Sequence, residues 1–202
     1  MDIFKELINA LAPSLKQVGF NKKGNSFYLE SGKNYGVINF QKSRDCTREV
    51  IKFTINFGVY SNVLAKNAWY YNNSAKPEVE LCHWLARVGD FMLGSPDFWW
   101  IINISDDLSR ITSNVMETIR SIVMPEINKH LSDEDLIKCW MNDSCYSGTT
   151  DFCRFTYLTT LLKAKDDLDT IKQVIETFKH YPEWKQYARS ALEHLKEIEY
   201  SK

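Results

Sequence analysis

The sequence predicts an α+β fold: an N-terminal helix, a four-stranded antiparallel sheet with helices on one face, and a C-terminal helical extension. Three patterns carry that reading. Phe4, Leu7, Ile8, Leu11, Leu15 and Val18 recur at the spacing of an amphipathic helix. Ile51, Phe53, Ile55, Phe57 and Val59 alternate with Val50, Lys52, Thr54, Asn56 and Gly58, so a strand there has one apolar and one mostly polar face. Beyond about Ser132, apolar stripes return at helical spacing with short linkers between them, as in packed antiparallel helices.

The elements follow in order. Pro13 lies inside the first stripe and is expected to kink or restart the helix, which Gly19 closes. Ser26–Glu30 and Tyr35–Ser43 read as strands joined by the turn Ser31-Gly32-Lys33-Asn34, ahead of the strand at Val50–Val59. A fourth strand, Asp97–Ile104, carries Trp99 and Trp100. Between the third and fourth strands runs a long connection, Ser61–Pro96, with Trp69-Tyr70-Tyr71 and a short helix expected over Val79–Phe91. Connections of this length are often functional. Ser105 is placed to cap a helix bearing Leu108, Ile111, Val115, Ile119 and Ile122, which Pro125 kinks or ends. Ser132-Asp133-Glu134-Asp135 resembles a capping arrangement ahead of Leu136, Ile137 and Trp140, and three further helices follow. The division expected is an α+β domain over 1–130 and a helical extension over 131–202, either packed on the first or separate.

Composition narrows the class of molecule. The chain has 202 residues, 44% apolar and 25% charged, which suits a globular protein and not a disordered one. Residues 1–104 carry 12 Lys and Arg against 9 Asp and Glu, and the rest 13 against 17, too even a split to imply a polyanion or membrane partner. Met1-Asp2-Ile3-Phe4-Lys5-Glu6 lacks the pattern of a signal peptide, and no apolar run is long enough for a bilayer. Cys46, Cys82, Cys139, Cys145 and Cys153 make an odd number without zinc or redox spacing, so five reduced thiols in a cytoplasmic protein are expected.

No phosphate-binding glycine loop, nucleophile elbow or H-E-x-x-H occurs, and neither a cofactor, a metal nor a catalytic residue is assigned. His130, His180 and His194 fall late on predicted helices, where a histidine is commonly a dipole contact. His83 differs: on the expected helix it shares a face with Arg87, beside Trp84 and near Trp99-Trp100. Polar groups among large rings suit a ligand cleft or a protein hot spot. Cys82 and His83, being adjacent, diverge by about 100° on a helix and cannot form a nucleophile–base pair. Residues 21–48 set Lys22, Lys23, Lys33, Lys42, Arg44 and Arg48 against Glu30 and Asp45, with Phe27, Tyr28, Tyr35 and Phe40 interleaved. Such a hairpin can bind single-stranded nucleic acid, but lysines guarding an edge strand account for the same pattern, and nucleic acid is the weakest of the partner classes.

Several of these stretches together carry a family likeness. Leu15-Lys16-x-x-Gly19-Phe20-x-Lys22-Lys23-Gly24-Asn25-x-Phe27-Tyr28, then Asn39-Phe40-Gln41-Lys42-Ser43, Phe53-Thr54-Ile55-Asn56-Phe57-Gly58, His83-Trp84-x-x-Arg87-x-Gly89 and Trp99-Trp100 resemble a bacterial family labelled domain of unknown function 4304. The likeness covers about residues 1–125 and implies an α+β fold of helix plus antiparallel sheet; it implies no activity. Among the residues that carry it, Gln41, Lys42, His83 and Arg87 are the ones suited to polar work.

The reading that follows is a non-catalytic protein-binding module, adaptor-like or immunity-like, presenting the Ser61–Pro96 connection and a sheet edge to a partner. Its candidate binding residues are Gln41, Lys42, Trp69, Tyr70, Tyr71, His83, Trp84, Arg87, Trp99 and Trp100. The rival is a small-molecule binder or enzyme in which Gln41, His83 and Arg87 converge on a cleft between sheet and helices. The partner, its ligand and the oligomeric state stay open at the level of sequence.

Overall fold

The computed structural model describes residues 2–66, 76–94, 97–142 and 149–199. Trp69, Tyr70 and Tyr71 lie outside those residues. The fold is α+β. Among the described residues six strands, two more than expected, form one antiparallel sheet: β1 (Phe20–Lys23), β2 (Ser26–Ser31), β3 (Asn34–Lys42), β4 (Val50–Tyr60), β5 (Trp84–Arg87) and β6 (Trp100–Asn103). The helices are α1 (Ile3–Gln17), α2 (Asn62–Lys66), α3 (Leu108–Thr118), α4 (Met124–His130), α5 (Asp133–Met141), α6 (Asp151–Ala164), α7 (Leu168–Lys179) and α8 (Trp184–Glu197).

Strand order is β1-β2-β3-β4-β5, with β6 also on β4. Both β5 and β6 therefore occupy the same side of β4. β5 pairs with Asn56–Val59 and β6 with Val50–Phe53, leaving Thr54 and Ile55 between them. The expected helix at Val79–Phe91 is instead a 3-10 turn at Val79–Leu81, strand β5, and a second 3-10 turn at Val88–Phe91. The physical reason is the free edge of β4, whose backbone groups need partners. Gly58 lets that edge approach closely: a Cβ there would stand 2.4 Å from the Trp84 carbonyl oxygen.

α1 runs through Pro13 without ending, capped by Asp2, which accepts from the Lys5 N–H, and Gly19 closes the chain reversal at φ +93°. The next long helix is capped by Asp107 and not by Ser105. It continues through a π-helical turn at Ile119–Val123 into α4. Its buried residues Val115, Ile119, Val123 and Ile127 stand four apart. In a pure α-helix that spacing drifts by about 40° per step, and the wider π turn absorbs the drift. Pro125, which has no N–H to return to the preceding turn, follows directly.

Phe27, Ile38, Phe40, Phe53, Ile55, Phe57, Trp84 and Trp100 point to one face of the sheet and join the apolar side of α1, α3 and α4 in a single core. α5–α8 contribute Leu136, Trp140, Phe155, Ile171 and Leu195 to the same cluster. Asp133, at the start of α5, accepts from Asn34 Nδ2 (3.0 Å) and Ser61 Oγ (2.7 Å), fastening the C-terminal helices to the ends of β3 and β4. The opposite face of the sheet is half covered. Tyr28, Val37, Tyr60, Ala65, Val79 and Cys82 form a second, smaller cluster there.

Candidate functional site

The other half of that second face holds a polar network. Strand alternation sets Gln41, Asn56 and Arg87 away from their buried neighbours Phe40, Phe57 and Ala86, so three adjacent strands bring them together. Arg87 Nε donates to Asn56 Oδ1 (3.2 Å), Nη2 to Gln41 Oε1 (3.3 Å) and Nη1 to Asp97 Oδ1 (2.9 Å). Asn56 Nδ2 donates to Gln41 Oε1 at 2.7 Å. Trp99 Nε1 donates to the same Asp97 oxygen at 2.9 Å, and the guanidinium lies 5.5 Å from the Trp99 ring centroid. The Arg87 backbone N–H is held by Asp90 Oδ2 at 2.9 Å, which fixes the end of β5.

The network leaves donors unspent. A guanidinium has five N–H groups, and three are used here, so two remain beside the Trp99 ring. The Arg87 side chain is 33% exposed and that of Asp97 74%, and an ion pair that open contributes little to stability. On the same face, Thr54 is fully buried and its Oγ1 has no hydrogen-bond partner. Ile101 of β6, also on that face, is 57% exposed. The patch holds no nucleophile paired with a base, and among the described residues no three His, Cys, Asp or Glu gather in a way that could hold a metal. Its chemistry is recognition: an ordered arginine, an indole and an exposed aliphatic side chain.

The structure thus brings Gln41, Arg87 and Trp99 together and separates the other candidates. Trp84 and Trp100 are core residues, not surface ones. Trp84 stacks on His130 at 4.1 Å and packs on Phe57, while Trp100 stacks on Phe53 at 5.2 Å and donates to Asn114. Lys42 lies on the α1 side of the sheet, 6.0 Å from the Phe4 ring. His83 does not converge with Gln41 and Arg87. It sits ahead of β5, 4% exposed, between the rings of Tyr60 and Tyr157, and its Nδ1 accepts from the Ser61 N–H at 3.1 Å. Burial pushes its pKa down to about 4. It lines a different feature, a cavity of about 400 Å³ between α2, α6 and α8. Thr156, Thr160, Ser190 and His194 line it too, and none was singled out from sequence. The signal was there: Thr156 and Thr160 are polar residues one turn apart in a helix that is mostly apolar.

The hairpin at 21–48 is no stacking platform, because Phe27, Tyr28 and Phe40 are all buried. The expectation of five free thiols is also corrected. Cys46, Cys82 and Cys153 are free, while Cys139 is disulfide-bonded. Among the described residues no helix is long and apolar enough to cross a membrane. No curated protein and no solved structure matches the chain. A protein-family model described as Domain of unknown function (DUF4304) matches residues 11–129.

Proposed function

The chain belongs to the DUF4304 family, whose description assigns no activity, and from the open-face patch we propose that it is a non-catalytic protein-binding module. The observation that carries this reading is the ordering of Arg87 and Trp99, two residue types that dominate binding energy in protein interfaces, on the half of the sheet that no described helix covers. Ile101, 57% exposed and two residues from Trp99, lies on the same face of the sheet on β6 and adds apolar surface beside the polar network. The partner is a polypeptide that lays an apolar side chain on Trp99 and Ile101 and brings an oxygen to the two unspent guanidinium hydrogens of Arg87. All the residues of the patch fall inside the stretch that the family model matches.

The test is affinity capture from the source cells with a tagged chain, followed by reconstitution with the purified partner. The double variant Trp99→Ala, Ile101→Asp should weaken reconstituted binding by about a hundredfold, the scale of a lost hot spot. Both side chains are partly exposed, so the thermal midpoint should move by only about a degree. A triple variant at Trp69, Tyr70 and Tyr71 runs beside it. Full binding by the patch variant, with loss in the triple variant, would move the interface to the connection and overturn the assignment to the sheet face.

A further inference from the structure

The polar side chains of the patch belong to a longer row. Register sets Lys23 opposite Ser26, Ser26 opposite Asn39, Asn39 opposite Asn56 and Asn56 opposite Arg87, a line across β1 to β5. Opposed residues of antiparallel strands project to one face, and at about 4.8 Å per strand the row is about 19 Å long. Gln41 and Thr54 form the next pair on that face, and Lys52 stands opposite Ile101 beyond them. Asn39 Nδ2 donates to Ser26 Oγ at 2.9 Å, so the hydrogen-bonded order seen around Arg87 continues along the row.

This strip is rich in donors and in positive charge. Gln41 keeps both amide hydrogens unspent, Asn39 and Asn56 one each, and Arg87 two. Lys23 is exposed and Lys52 half-buried, and among the described residues neither ammonium is in an ion pair. Across the six strands the one Asp or Glu is Glu30, which Lys76 already pairs, and Asp97 is taken by Arg87. Such a face complements carboxylates and carbonyl oxygens. Nucleic acid fits it less well: bases need a series of rings, Trp99 is the one partly exposed ring held against Arg87, and the chain carries a net charge of −1. We infer that the partner presents an acidic segment that crosses the strands along this row. About six extended residues span it. Their carbonyls meet the amides of Asn39, Gln41 and Asn56, and their carboxylates meet Lys23 at one end and Arg87 and Lys52 at the other. The inference rests on the protein-binding reading of the patch and supplies the chemistry of the partner.

The probe is hexaglutamate, titrated at low salt into the isotope-labelled full chain while the side-chain amide signals of Asn39, Gln41 and Asn56 are followed by NMR. A neutral Gly-Ser hexapeptide and hexathymidylate run beside it. Hexaglutamate should shift those signals, about 0.3 M salt should reverse the shift, and the neutral peptide should leave them in place. The pair Lys23→Glu, Lys52→Glu should weaken hexaglutamate by about tenfold or more, and the pair Lys23→Arg, Lys52→Arg should keep it bound. Unmoved signals at millimolar hexaglutamate, equal shifts with the neutral peptide, or tighter binding of hexathymidylate would each overturn the inference. The captured partner separates it from the reading it rests on. Full binding by the Lys→Glu pair, with loss in Trp99→Ala, Ile101→Asp, overturns the acidic segment and leaves the protein-binding patch standing, whereas full binding by both variants overturns both.

Discussion

At the scale of single residues, the buried histidines set how the protein responds to acid. His83 titrates at about 4 when folded, against about 6.5 for an exposed histidine. Between those values the unfolded chain binds a proton that the folded chain refuses. The stabilisation from keeping His83 neutral is therefore complete above pH 6.5 and is lost as pH falls towards 4, a difference of about 3 kcal/mol. Burial lowers His130 and His194 as well, so they act in the same direction. The urea midpoint should fall between pH 7 and pH 4.5, and His83→Gln, whose amide oxygen can still accept from Ser61, should fall less. Parallel curves for the two proteins would show that His83 does not control the slope. Sequence showed Gln41, Arg87 and Trp99 as polar and aromatic types worth noting, but not that they meet. Their meeting depends on the pairing of Asn56 with Arg87 across β4 and β5, which no local pattern records.

At the scale of elements, β5 is the instructive case. Trp84, Ala86 and Val88 are buried at every second position, the period of a strand. His83 and Arg87, four apart, also fit one helical face, and a short segment satisfies both readings. What decides between them is an edge of β4 more than twenty residues away. Gly58 is the contact that makes the pairing fit. Gly58→Ala should cost about 1–3 kcal/mol because its new methyl meets fixed backbone. Gly36→Ala should cost somewhat less, since its close neighbour, 2.5 Å away, is the Cγ2 branch methyl of Ile127, a side chain and not fixed backbone. Chemical denaturation of the two variants checks the order. The first helix, the β2–β3 hairpin and the long strand β4 were legible because each shows its period alone. β1 was not, being four residues whose pattern has a single buried position, Phe20.

At the scale of the whole molecule, the C-terminal helices share the core of the sheet, and Asp133 is the polar tie between them. Asp133→Ala leaves Asn34 Nδ2 and Ser61 Oγ without that acceptor, and hydrogen bonds to a charged group contribute about 1.5–3 kcal/mol. We expect that loss in stability together with faster amide exchange in α5–α8 than in β2–β4. Equal acceleration everywhere would mean that the two halves open as one unit. The sequence suggested a boundary near residue 130 because the pattern changes there from strand and loop to unbroken helices. A change of pattern says nothing about whether apolar surfaces merge, and here Trp140 and Phe155 join the cluster that holds Trp84.

The π turn at Ile119–Val123 has a consequence of another kind, for chain length. Geometrically such a turn is an α-helix that has swallowed one surplus residue and kept both its ends in place. Arg120 and Ser121 are exposed and carry none of the core. A chain with one residue fewer at that spot would close into ordinary α-helix and still deliver Ile127 and His130 to the same positions against the sheet. The helix is thus a splice that tolerates a single-residue deletion where most of the fold would lose its register, and two chains differing in length by one can share this core unchanged.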